Sequence, residues 1–191
     1  MNKQTKAKTI ALYGVISSLM FVFLLVETFG FTAWLGNFTP AILTLPLAVS
    51  ISLIGNGKRC FVGGLIFGCC SFFLAVLIAN PIFINPLISI LPRVLIGVVA
   101  WLVHKGISKL TKNTKTAFLK EVLPISIAAA FGILTNSVCT IFMMWVFNAS
   151  DLAAIMTVII SFNFLAEIIG AITLSPVYVK VMKRVNKSIC F

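Results

Sequence analysis

Acidic side chains are scarce in this sequence: 4 Asp and Glu stand against 15 Lys and Arg in 191 residues, with 1 His. Charged residues make up only 10% of the chain and hydrophobic ones 60%, whereas a soluble domain carries about 25% charged and 45–50% apolar residues. That shortage excludes a soluble globular domain, and a mean hydropathy of +1.13 excludes disorder. It also leaves few groups for acid–base catalysis spread over many side chains. The formal charge of +11 could suggest nucleic acid, but the cations lie in short gaps between apolar runs and are not interleaved with polar residues on a soluble face. Cys60, Cys69, Cys70, Cys139 and Cys190 show no paired metal-ligand spacing. Most sit in apolar runs where a thiol behaves as a small hydrophobe, so neither a metal nor a disulfide framework is expected. A G-x-x-x-x-G-K-[ST] loop is missing too, and no cofactor is implied.

What the chain has is long apolar runs. A spanning helix needs about 20 residues, because about 30 Å of hydrocarbon is crossed at 1.5 Å per residue. Six stretches meet or approach this: Thr9 to Val26, Phe38 to Ile54, Cys60 to Ala79, Leu87 to Val103, Val122 to Phe147 and Leu152 to Val181. The second is the shortest. Lys3, Lys6 and Lys8 precede the first span, and Lys58 and Arg59 follow the second. Lys105, Lys109, Lys112, Lys115 and Lys120 follow the fourth, and Lys180, Lys183, Arg184 and Lys187 close the sixth. The alternate gaps hold no Lys or Arg and carry Glu27 and Asp151, so the positive-inside rule places both termini in the cytoplasm. The N-terminal apolar run exceeds the 7–15 residues usual for a signal peptide, and cleavage is not expected. The expected fold is all-α: residues 1–191 as one bundle of six transmembrane helices, with no inverted repeat evident.

Within those spans only Arg93 and Glu167 are charged near the interior, and each such charge costs about 2.5–3.5 kcal/mol on insertion scales. Counting inward from the outer helix ends puts both roughly 10–25 Å deep, so the two can meet. Arg93 then either pairs with Glu167 or awaits an anionic solute. Pro86 and Pro92 near the start of that helix free backbone carbonyls, which is tolerated where the backbone is buried in protein or lines a cavity. Asn136 lies mid-helix, and Asn163 sits one turn before Glu167. These amides serve either as interhelical glue or as part of a polar pocket with apolar walls. Phe29, Phe31, Trp34, Asn37 and Phe38 after the first span, and Asn80, Phe83 and Asn85 after the third, form either an interfacial belt or a lid of loops. Ala11, Gly14 and Ser18 on the first helix, and Gly63, Gly64 and Gly68 on the third, make flat patches that suit close packing. The first of these contacts is either inside the bundle or with a partner protein, and spacing alone favours the former.

The chain resembles the substrate-binding S components of energy-coupling factor (ECF) vitamin transporters. Carrying the resemblance are Leu45-Pro46-Leu47-Ala48, Gly63-Gly64-Leu65-Ile66-Phe67-Gly68 and, most specifically, Asn85-Pro86-Leu87-Ile88-Ser89-Ile90-Leu91-Pro92-Arg93. Leu134-Thr135-Asn136 and Glu167 look like the pantothenate-type branch. The resemblance implies a non-enzymatic subunit of an ABC transporter in a bacterial cell membrane. It would capture a vitamin outside and join a membrane scaffold protein and two cytoplasmic ATPases. With the pocket and loop readings above, solute contacts are expected among Arg93, Asn85, Asn136, Asn163, Trp34, Asn37, Phe83 and Glu167. It also puts Gly14 and Ser18, beside Ala11, where the family's Ala-xxx-Ala motif meets the scaffold. Pantothenate is the expected solute, because Arg93 suits a carboxylate. Folate, riboflavin, and an ion-coupled secondary transporter using Glu167 are the alternatives.

Overall fold

A computed structural model describes residues 3–35, 40–54, 60–80, 82–114, 116, 118–148 and 164–189. Among these the chain is helical, with turns and no strand. Helix α1 covers Lys3–Leu35, α2 Thr44–Ile54, α3 Cys60–Leu77 and α4 Pro86–Leu110. A π-helical turn, Phe118–Val122, leads into α5, Leu123–Val146, and α6 covers Phe164–Ile189.

Five segments are long and apolar enough to cross a membrane: Ile10–Gly30, Cys60–Leu77, Pro86–Leu110, Phe118–Val146 and Phe164–Val185. Helix α2 has 11 residues, about 16 Å at the helical rise, and falls short of a bilayer. It is instead the centre of the bundle, buried continuously from Thr44 to Ser52. The six apolar stretches of the sequence are therefore five candidate spans and one short central helix among the described residues.

Helix α1 runs well past the expected end at Val26. No proline interrupts Lys3–Leu35, so Phe29, Phe31 and Trp34 belong to the helix and not to an outer loop. Its inward stripe is Ile16, Met20, Leu24 and Glu27, all buried. Val15, Val22, Val26 and Phe29 point outward, an apolar exterior of the kind that faces lipid.

The close packing around α2 is a glycine effect. A Cβ on Gly63 would fall 2.2 Å from the Ala48 carbonyl oxygen, and one on Gly64 would fall 2.0 Å from that of Arg93. Helix α3 thus touches the backbones of both α2 and α4, as the flat patch in the sequence led us to expect. Prolines set the other local rule. Pro176 inside α6 removes the N–H that would bond the Ile172 carbonyl, and Ser126 of α5 donates its hydroxyl there at 3.0 Å.

Candidate functional site

Pro92 lies within α4 and deprives the Ile88 carbonyl of its helical donor. Arg93 supplies the replacement, with Nη1 donating to Ile88 O at 2.9 Å. The side chain consequently folds back toward the N-terminus of its own helix, the direction helical geometry favours. Its guanidinium lies against two aromatic rings, 5.1 Å from the centroid of Phe83 and 5.9 Å from that of Phe67. Arg93 is 8% exposed, so a full charge sits among apolar surroundings. That combination attracts an anion.

The segment that carries Phe83 is held by its own amides. Asn80 Oδ1 accepts from the backbone N–H of Ile82 at 3.1 Å, and Asn85 Oδ1 caps α4 by accepting from Leu87 N at 3.0 Å. Ser89 donates its hydroxyl to the Phe83 carbonyl. Asn85, read from the sequence as a solute contact, is thus engaged as a helix cap, and Phe83 is the residue of this segment that reaches Arg93.

Helix α5 faces α4 in antiparallel register. Ile88 clusters with Met144, and a Cβ on Gly132 would lie 3.2 Å from Ile96 Cγ2. Between those levels Asn136 and Thr140 share one stripe with Met144. Arg93 Nε, Asn136 Oδ1 and Thr140 Oγ1 are buried with no hydrogen-bond partner among the described residues. Buried polar atoms are ordinarily paired, and leaving one unpaired costs about 1–3 kcal/mol. The α4–α5 register puts this unmet donor, the unmet acceptor and the hydroxyl at similar depth along the two helices. The sequence reading missed Thr140, whose signal was its place one turn beyond Asn136.

The two carboxylates do other work. No ion pair joins Arg93 to Glu167 among the described residues. Of the two partners open to Arg93 in the sequence, Glu167 is not the one it bonds here: Arg93 turns toward Ile88 while Glu167 accepts the Ala41 backbone N–H at 3.2 Å. Glu27, placed by the sequence reading in an outer gap, lies within the apolar segment Ile10–Gly30 and is only 2% exposed. It accepts the Thr44 N–H at 3.1 Å, and also the Leu43 N–H and the Thr44 hydroxyl. Carboxylates from α1 and α6 therefore cap the buried start of α2, where four N–H groups lack helical partners.

No family model matches the chain. Over 207 aligned residues, covering 97% of this chain and 99% of the other, it is 24% identical to the pantothenic acid transporter PanT of Lactococcus lactis subsp. cremoris (strain MG1363). It is a full-length relative of a bacterial transporter. This relative supports the resemblance to a pantothenate-type S component. Together with the five apolar spans, it makes the chain a multi-pass protein of the bacterial cell membrane.

The remaining expected contacts divide by position. Asn37 and Asn163 lie outside the described residues, and Trp34 is described only as part of α1. Ala11, Gly14 and Ser18 lie on the exposed side of α1, and a Cβ on Gly14 would meet nothing within 4 Å. Among the described residues no other helix packs against Gly14, so the internal alternative finds no support there. Ser18 donates its hydroxyl to the Gly14 carbonyl at 3.0 Å, which keeps the polar atom close to the helix and the surface flat.

Proposed function

We propose that this chain is the substrate-binding S component of an ECF-type transporter, and that its solute is pantothenate. The observation that carries this reading is the buried guanidinium of Arg93, at the level of Asn136 Oδ1 and Thr140 Oγ1, with Nε and both oxygens unpartnered among the described residues. Pantothenate has a carboxylate for the first and amide and hydroxyl hydrogens for the others. The whole-length similarity to a pantothenic acid transporter supports the same solute.

On this reading the solute enters from the outside, beside the 80–85 segment, with Phe83 stacking on the guanidinium and excluding water from its charge-assisted hydrogen bonds. Both termini lie in the cytoplasm, as the distribution of Lys and Arg along the sequence supports. Energy comes from two cytoplasmic ATPases joined through a membrane scaffold protein. The S component topples within the membrane to present its site inward, and the flat side of α1 around Gly14 and Ser18 docks on the scaffold.

The test is binding of radiolabelled pantothenate to the purified protein without ATP. Wild-type protein is expected to bind one equivalent. Arg93→Ala should weaken binding by about 30-fold or more, the equivalent of about 2 kcal/mol for a hydrogen bond to a charged group. Equal affinity in the variant would return Arg93 to a purely structural role. Mass spectrometry of a compound that copurifies with the protein separates pantothenate from folate and riboflavin.

A further inference from the structure

We propose that Pro92 is a positioning residue for the solute site: by withholding a backbone N–H it makes the Ile88 carbonyl available to orient the Arg93 guanidinium. In an uninterrupted helix the N–H of residue 92 would bond that carbonyl along the axis. Proline has no such hydrogen, and its ring crowds the carbonyl four residues earlier, tipping it away from the axis. Here that carbonyl oxygen accepts Arg93 Nη1 at 2.9 Å.

The engagement fixes which part of the planar fork remains for a solute. With Nη1 held by the helix, the edge that includes Nε is left, and Nε is buried without a partner among the described residues. The Phe67 and Phe83 rings restrict the guanidinium further, and the Ile88 carbonyl sets its reach along α4. A carboxylate bound through two parallel hydrogen bonds requires this kind of fixed plane, and an arginine free to swing would spend part of its binding energy on being ordered. The inference rests on the substrate reading above and deepens it, because Pro92 affects the carboxylate end of the solute alone.

The experiment compares pantothenate with panthenol, its neutral alcohol analogue, by titration into purified full-length protein in nanodiscs. Pro92→Ala restores an N–H for Ile88. It is expected to lower the preference for pantothenate over panthenol by about tenfold, with panthenol affinity within about twofold of wild type. Arg93→Ala should lower the same preference at least as far, and the double variant no further than Arg93→Ala alone. Should Pro92→Ala fail to assemble, Pro92→Ser supplies the same N–H. An unchanged preference in the position-92 variant, or equal losses for both compounds, overturns the inference and leaves the substrate reading standing. Wild-type protein that binds neither compound overturns the substrate reading and the inference with it.

Discussion

A carboxylate that satisfies several donors at the buried start of a helix cannot be deleted without stranding them. Glu27 does this for Leu43 and Thr44. Glu27→Ala should therefore lower unfolding stability by about 2–4 kcal/mol, and Glu27→Gln by less, since an acceptor oxygen remains. Thermal unfolding in detergent checks this; equal melting temperatures for all three proteins would mean that the start of α2 finds other acceptors. Ser126→Ala should cost about 1–2 kcal/mol by orphaning the Ile172 carbonyl. The same change in a Pro176→Ala background should cost markedly less, because the restored N–H at 176 reclaims that carbonyl. Arg93 was visible in the sequence because a cation deep inside an apolar run violates its surroundings. Glu27 was not, because it fell one residue past a boundary drawn at Val26. Its cue was its spacing from Ile16, Met20 and Leu24 on one helical face.

Helices meet here in two ways, and glycine distinguishes them. Gly64 lies so close to the Arg93 carbonyl that Gly64→Ala must force α3 and α4 apart, displacing the backbone that carries the guanidinium. The expected result is loss of monodisperse protein, or of vitamin binding where the protein still assembles. Normal yield and affinity would show that the α3–α4 crossing relaxes freely. Gly14 is the opposite case, with nothing near it among the described residues. Gly14→Leu should leave assembly and binding unchanged while impairing uptake in cells, and normal uptake would remove this face from the partner interface. Both patches read alike in the sequence, because small residues at helical spacing do not say what lies opposite them. The second apolar stretch was ambiguous for a related reason. A helix wrapped in other helices needs apolar residues as much as one wrapped in lipid, and only its length of 11 residues marks α2 as central.

For the whole molecule, the proposed division of labour makes a plain demand. Proteoliposomes holding this chain alone should retain pantothenate on its binding site without accumulating it, and accumulation should begin only when the scaffold and ATPases are reconstituted with ATP. Accumulation by the chain alone under a proton gradient would favour the ion-coupled alternative. Against that alternative, Glu167 is engaged at the start of α2 through the Ala41 N–H.

Composition and the order of apolar runs were sufficient to place this chain in a membrane as a helical protein and to single out Arg93 and Asn136. Those properties depend on the solvent each segment can tolerate, which a residue's type and its near neighbours largely determine. What each polar group bonds to was decided only in three dimensions. Ala41 and Glu167 stand 126 positions apart in the chain, and no periodicity links them. Hydrogen bonds depend on direction over a few tenths of an ångström, so whether Arg93 bonds Glu167 or the Ile88 carbonyl lay in how the helices pack.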